Sequence, residues 1–564
     1  MTPVQARAYL SPTLVLLAMD WQEGKGRSDF LGFAIERTPG FKNNSKSWLP
    51  NRISFDGPKI GADGHAIDLP SNSNPIQKFL WWDARIDTKD RGSTFSYVIT
   101  PVLGPFDNLT LLTKASYKLS VSIPHEVENG IGTYFNRAVV SSQAFMNEFG
   151  PKPTGAELDK ALAWLANGMQ NAIPDFLQNA EDVSGCIYHL TDQNYVEPAL
   201  EEFAGKAELV YMYKTGKDTV NDAAVKAFKS KDNIRFYRRT HATIMHNKFL
   251  VNREGDHCGV LQGSANFTLE GLTSQANVLH TWESAELAKL YDARFELLRD
   301  DPSLKETRNG AGWSKKINAG DATLRVFFPP ETKPGRDSIN PIVDAINNAK
   351  QSVVFCLFSS TDAELRKACF DSADAGKMMF GLVNRISEPN EEAKETASTV
   401  AATEIYNRSH EDKDVVGHDS FGKDDAPTGF WWEINSLQKA VGKGTDKSKS
   451  NRIPPVFVHH KFIVIDAETA NPIIYTGSAN LSGNSLWMND ENLLEITECP
   501  RLAQAYLAEF MRLYEHYRAR AAFNRRAQGA ENTFRLEKDT GWAAQAYHPG
   551  TPEFKSRVNL TAPL

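Results

Sequence analysis

At 564 residues the chain is long enough for two or three domains with full cores, and its 41% hydrophobic and 24% charged content is that of a soluble globular protein. With 63 basic against 70 acidic side chains the net charge is −7, so no overall basic field surrounds the molecule and any nucleic-acid binding has to rest on a local patch. Five scattered cysteines (Cys186, Cys258, Cys356, Cys369 and Cys499) with no Cys-x-x-Cys exclude a disulfide framework or a zinc ribbon and read as reduced, buried thiols.

No basic residue precedes Arg7, and the apolar run Leu14 to Met19 is too short for a signal core or a membrane span, which leads us to expect a cytoplasmic protein. Residues 1–135 alternate strand-like runs with polar turns: Leu14 to Trp21, Phe30 to Ile35, Phe79 to Ile86, Thr94 to Leu103 and Leu109 to Ile123. That spacing predicts an N-terminal β-sandwich accessory domain, with Trp81 and Trp82 half in its core.

Residues 136–320 read as a first α/β unit. Helical periodicity runs over 154–179, then strands and helices alternate: Gly185 to Leu190, Val196 to Phe203, Ala207 to Tyr213, Val220 to Lys229 and Ile234 to Tyr237, closed by a helix from Ser284 to Leu298. Such alternation predicts layers around a largely parallel sheet. Residues 321–530 repeat the order, with strands at Leu324, Ser352 to Phe358 and Met378 to Val383, and helices at Pro341 to Lys350, Ala363 to Ala375 and Leu502 to Ala522. Gly312-Trp313 and Gly541-Trp542, each following a closing helix, read as a further mark of duplication, and 531–564 as a C-terminal tail. Residues 384–455 read as an insertion carrying Phe430, Trp431 and Trp432 and the cations Lys443, Lys447, Lys449 and Arg452. It is placed to act as a lid or substrate reader, or equally to be a solvated loop with a small docked helix.

The chemistry sits in two copies of one pattern. Val-Phe-Val-His459-His460-Lys461 runs on through Phe-Ile-Val-Ile to Asp466, then comes Gly477-Ser478-Ala479-Asn480; upstream stand His246-Asn247-Lys248 and Gly263-Ser264-Ala265-Asn266. The His-to-Asn separation is 20 residues in the first and 21 in the second. On a strand, His459 and Lys461 share a face while His460 points the other way, as a satisfied core or surface residue. A histidine can attack or protonate, a lysine supplies fixed charge, and serine and asparagine can hydrogen-bond a phosphate or an imidazole, so two such sets suit one phosphoryl group clamped without metal or cofactor.

His-x-Lys-x4-Asp followed by Gly-Ser-x-Asn, present twice, resembles the phospholipase D superfamily. The resemblance covers roughly 136–530 and implies an α/β fold of two pseudosymmetric α/β/α halves behind the β-sandwich. The implied catalytic residues are His246, Lys248, Asn266, His459, Lys461, Asn480, Asp466 and Glu491, with Ser264, Ser478, Gly263 and Gly477 at the substrate. In the first copy Arg253 stands where the second has Asp466, and Ala276-Asn277 is matched to Glu491-Asn492. Resemblance favours His246 as nucleophile and His459 as acid and base; on the residues, Asp466 and Glu491 are expected to accept from a second-half histidine and raise its pKa. The implied activity is a phosphodiester hydrolase working through phosphohistidine, with nucleic acid preferred to phospholipid as substrate. A phospholipase D or transphosphatidylase, and a degenerate phosphodiester-binding module, are the other readings, and the sequence leaves the oligomeric state open.

Overall fold

A computed structural model describes residues 2–62, 66–138, 145, 148–150, 153–214, 219–308, 310–358, 361–384, 386, 388–389, 394–417, 457–526 and 535–563. Phe430 to Trp432 and the cations of 443–452 lie outside the described residues.

The N-terminal region is two sheets face to face. Gln5–Ser11, Leu14–Asp20 and Leu80–Asp83 make one; Tyr117–Ser122, Thr94–Leu103, Phe30–Thr38 and Ser47–Trp48 make the other. Between them lie Val15, Leu17 and Met19 from the first and Phe33, Ile35, Phe95, Tyr97 and Ile99 from the second. Leu14–Asp20 is buried along its whole length because its other face, Leu14, Leu16 and Ala18, packs into the core of the α/β units. This explains a continuous apolar run where a one-sided strand would alternate. Trp81 and Trp82 stack on each other at 5.9 Å and divide between those two cores.

The two α/β units each carry an eight-stranded sheet of the same order. The first runs Val127–Glu128, Ile131–Phe135, Val278–Glu283, His257–Gly263, Lys248–Glu254, Asp182–Ile187, Lys206–Met212, Ile234–Arg239. The second runs Ile317–Ala319, Ala322–Phe327, Leu493–Thr497, Ile473–Gly477, Lys461–Ile465, Ser352–Leu357, Met378–Val383, Val415–Gly417. The expectation of a largely parallel sheet is corrected here. Only the three strands joined by helical crossovers are parallel in each sheet, and the motif strands return as antiparallel hairpins. Apolar periodicity reports burial and is blind to strand direction.

Alternation sorts each sheet into two faces. Phe249, Val251 and Val260 of the first sheet and Phe462, Val464 and Ile474 of the second meet in one core between the units, while Leu250 and Leu261, and likewise Ile463 and Ile465, face outward onto helices. The helix Pro500–Arg526 packs on the second sheet and on Gln5–Ser11, so Tyr506, Phe510, Tyr514 and Tyr517 are all buried. Each such ring removed from water contributes roughly 1.5–3 kcal/mol. The five cysteines are free thiols, four of them buried.

Four further corrections concern boundaries. Ile131–Phe135, assigned to the accessory domain, pairs with Val278–Glu283 in the first sheet. The helical stretch 154–179 is two helices, Ala156–Ala166 and Met169–Leu177, separated by Asn167 and Gly168 at φ 54° and 96°. The segment 384–455 opens with helix Ala397–Asn407 and the edge strand Val415–Gly417, which belong to the second unit. Trp313 and Trp542 are not counterparts. Trp313 packs on Phe327 of the second unit, whereas Trp542 stacks on Phe79 at 5.2 Å inside the N-terminal region, where Tyr547 also bonds Trp21 O at 2.6 Å.

Candidate active site

Each histidine sits where its chain leaves one unit and touches the other. Ile244–Met245 pairs in parallel with Asn489–Asp490, and Gln275–Ala276 with Phe457–Val458. His246 N therefore bonds Asp490 O at 2.8 Å and His459 N bonds Ala276 O at 3.1 Å. The strand expected from Val456 to Ile465 is thus two strands with His459 at the break: Phe457–Val458 serves the opposite unit and Lys461–Ile465 its own sheet. Asp490 fastens the crossing from its side chain as well, accepting from buried Arg239 at 2.7 Å and Arg294 at 3.0 Å, both in the first unit.

The side chains are exchanged in the same way. His246 Nδ1 lies 2.8 Å from Glu491 Oε2 of the second unit, and His459 Nδ1 lies 2.9 Å from Asn277 Oδ1 of the first. An ionised carboxylate only accepts, so His246 carries its proton on Nδ1 and presents Nε2 as a lone pair. Asn277 is oriented by its own Nδ2, which donates to Gly271 O at 2.9 Å. Its Oδ1 is therefore left to accept from His459 Nδ1, and His459 has the same tautomer.

These contacts correct the expectation that Glu491 and Asp466 serve a second-half histidine. The matching of Glu491-Asn492 to Ala276-Asn277 is out by one: Gly263 pairs with Leu279 and Gly477 with Leu493, so Asn277 stands where the second unit has Glu491. Among the described residues Asp466 meets no histidine. It sits at φ 53° and its carboxylate accepts from the backbone N–H groups of Lys350, Gln351 and Ser352 at 2.9, 2.7 and 3.0 Å. Asp466→Ala is expected to cost about 2–4 kcal/mol of unfolding free energy in a urea titration by stranding those donors, with kcat of the folded enzyme unchanged.

The expected substrate contacts of the serines and glycines are also relocated. Ser478 Oγ donates to Glu491 Oε2 at 2.6 Å and Ser264 Oγ to Asn277 Oδ1 at 2.8 Å, so both fully buried hydroxyls hold the histidines' partners. Gly263 and Gly477 allow a close backbone crossing. A Cβ on Gly263 would stand 2.2 Å from Val278 O, and one on Gly477, at φ 142°, 2.4 Å from Asn492 O. Asn266 and Asn480 are half-buried, and their carboxamide oxygens have no partner among the described residues. His460 faces Phe135 and Phe462 in the core, away from Lys461.

Lys248 and Lys461 lie under the histidines, 0% and 1% exposed against 6% and 8% for His246 and His459, so the imidazoles form the accessible face. Lys248 Nζ donates to His246 O at 2.5 Å; Lys461 Nζ donates to His459 O at 2.8 Å and lies 3.3 Å from His459 Nε2. Burial lowers both ammonium groups, Lys461 to about 7 and Lys248 well below the usual lysine range, where Lys461 adds repulsion. Burial also lowers His246 to about 4 against the pull of Glu491, and His459 well below its ordinary value, with Lys461, Lys248 and His246 adding to the effect. Burial alone would raise Glu491, but His246, Lys248 and Ser478 hold its carboxyl below the ordinary glutamate value.

Two aromatic rings that no motif marks complete the arrangement. Tyr188 follows strand Asp182–Ile187 and stands edge-on to His246 at 5.0 Å, with Lys248 Nζ 4.9 Å over its ring; Phe358 follows Ser352–Leu357 and stands edge-on to His459 at 5.4 Å, with Lys461 Nζ at 5.8 Å. Aligning the two units strand by strand was the signal that would have found them.

Cations deprived of solvent make a site that gains charge when an oxyanion enters. Lys461, titrating near 7, is charged at pH 6 and largely neutral at pH 8; a bound dianion favours the charged form and raises that value. Sulfate affinity is therefore expected to be full below pH 7 and to fall above it by up to about tenfold per pH unit for each proton taken up. Calorimetric titration at pH 6 and 8 checks it, and equal dissociation constants would remove the reading.

Among the described residues no helix is long and apolar enough to cross a membrane, and no group of three or more His, Cys, Asp or Glu could hold a metal ion. No curated protein matches the chain. Among solved structures it is similar to phosphatidylserine synthase of Haemophilus influenzae Rd KW20, at 14% identity over 62% of this chain and 85% of that one, TM-score 0.41. It is also similar to NucT from Helicobacter pylori, at 18% identity over 35% and 97%, TM-score 0.24, and to Nuc from Salmonella typhimurium, a phospholipase D family member, at 19% identity over 36% and 95%, TM-score 0.19. The family model described as "Cardiolipin synthase, PLD-like domain" matches residues 183–299 and 342–514, just over half of the chain. Those two segments hold both His-x-Lys motifs and the partners they exchange, and the chain belongs to the phospholipase D-like family, whose members act on phosphodiesters.

Proposed function

We propose that the protein hydrolyses phosphodiesters through a phosphohistidine on His246, without a metal ion, and that nucleic acid is its substrate ahead of phospholipid. The observation that carries this is the unequal exchange of partners, a carboxylate on His246 and a neutral amide on His459. When His246 Nε2 attacks phosphorus, the imidazole becomes cationic, and Glu491 at Nδ1 stabilises that charge. His459, facing Asn277, has no negative partner to retain its proton. Once the substrate's phosphate has offset the surrounding lysines, His459 takes up a second proton on Nε2 from solvent and gives it to the departing oxygen as the P–O bond breaks.

In the second step water attacks phosphorus, His459 takes its proton, and the P–N bond to His246 breaks. Lys248 and Lys461, with Asn266 and Asn480, face the non-bridging oxygens and supply the charge that a metal would otherwise provide. The half-buried rings of Tyr188 and Phe358 flank the imidazoles and suit planar groups on either side of the phosphate.

Turnover is expected to survive excess chelator, followed in parallel on single-stranded oligonucleotide, plasmid and phospholipid vesicles. Loss that magnesium or zinc restores would refute the metal-free reading. Turnover of vesicles alone, with alcohols accepted in place of water, would establish a phospholipase D or transphosphatidylase.

A further inference from the structure

The three parallel strands of the first sheet end side by side next to His246. Asp182–Ile187 runs out at Tyr188 and His189, Lys206–Met212 at Tyr213 and Lys214, and Ile234–Arg239 just past Arg238. Ile187 stands in register beside Tyr211, and Tyr211 beside Arg238; Tyr213 N carries the register one step further by bonding Arg239 O at 3.1 Å. Buried Asn221 locks the first two ends together, donating to Tyr188 O and Met212 O at 3.0 Å each and accepting from Leu190 N at 2.7 Å. The row is therefore held by the sheet and does not depend on a loose loop.

Continued by one and two residues, this register sets Met212 beside Tyr188 and Tyr213 beside His189, with Arg238 on the third strand. His189 stacks on Tyr188 at 3.8 Å, and the exposed guanidinium of Arg238 lies 4.1 Å over the ring of Tyr213, with its Nε donating to Tyr211 OH at 3.1 Å. Arg238 makes no ion pair among the described residues; Asp222 acts on it only at a distance. Its remaining donors are not spent on a carboxylate. In the second unit the described ends of the equivalent strands continue as Phe358 and Asn384. The carboxyl ends of parallel strands are where open α/β sheets bind ligands.

We propose that Tyr213 and Arg238, continuing from Tyr188, form a binding track for single-stranded nucleic acid, stacking the base next to the scissile phosphate and pairing Arg238 with a further phosphate. The inference rests on the phosphodiesterase reading of the same site and gives it a substrate class and a direction. An aromatic row fits any base, and a cation beyond it fits a second phosphate, which a nucleic-acid strand has and a diacyl phospholipid with a single phosphate lacks.

The test compares Tyr213→Ala, Arg238→Ala and Arg238→Lys with the unaltered protein on a short oligothymidylate and on a p-nitrophenyl phosphodiester too small to reach the track. Either alanine variant is expected to raise KM for the oligonucleotide roughly tenfold, with kcat at saturation and both constants for the small ester unchanged. Lysine at 238, keeping charge without the planar stack, is expected to recover part of the loss. An unchanged oligonucleotide KM overturns the track, as do small-ester constants that fall in step with it, or a KM that moves for anionic phospholipid vesicles instead. An unaltered protein that turns over neither substrate overturns the phosphodiesterase reading and the track with it.

Discussion

Alanine in place of His246 is expected to abolish the covalent phosphoenzyme and bring turnover to background, whereas His459→Ala still forms the adduct with a p-nitrophenyl diester. The asymmetry follows from what each imidazole supplies. His246 provides the electron pair for the new P–N bond, for which no neighbour can substitute. His459 provides a proton, and p-nitrophenolate leaves without one. On a diester with an ordinary alkoxide leaving group, His459→Ala is expected to lose about 10²–10⁴ in rate, the range for general acid catalysis. Acid quench, proteolysis and mass spectrometry locate the phosphate. An adduct mapped to His459 would reverse the two roles.

Glu491→Gln is expected to be nearly as damaging while leaving the fold intact, with kcat reduced by roughly 10³–10⁴, as in other sites where a carboxylate fixes an imidazole tautomer. The amide preserves shape but presents an N–H as readily as an oxygen, which draws the His246 proton to Nε2 and removes the attacking lone pair. It also removes the negative charge that stabilises the cationic imidazole. Ser478 would still bond the side chain, so the thermal midpoint should stay close to that of the parent. A variant that keeps most of its activity would mean that Glu491 only packs, and the exchange of partners would lose its catalytic meaning.

How much of this was legible in the chain depends on the range of the interaction. The His-x-Lys and Gly-Ser-Ala-Asn sets are local, and both units and their common order followed from them. Which carboxylate serves which histidine was not legible, because Glu491 reaches His246 only through pairing of Ile244–Met245 with Asn489–Asp490, residues far apart in sequence. Asp466 shares its place in the motif with catalytic groups, yet its left-handed backbone and three N–H donors make it a turn anchor. Asn277 carried no signal as an isolated asparagine. Its role appears only when the hairpins Gly263↔Leu279 and Gly477↔Leu493 set the two units in register. Tyr188 and Phe358 lie outside every motif, being placed by strands whose ends the pattern locates only to within a few residues.

The packing of Trp542 and Tyr547 among Phe30, Phe79 and Trp21 bears on how the protein comes off the ribosome. The N-terminal sheets leave the exit tunnel early, but their shared core waits for side chains encoded more than four hundred codons later. At about 5–20 residues per second that delay is on the order of twenty seconds to a minute and a half. Throughout that interval Phe30 and Phe79 lack their final neighbours, and nascent chains paused before residue 542 should bind chaperones that grip exposed aromatic surface. Release of those chaperones would then coincide with the arrival of this late segment, so that the earliest translated region is among the last to mature.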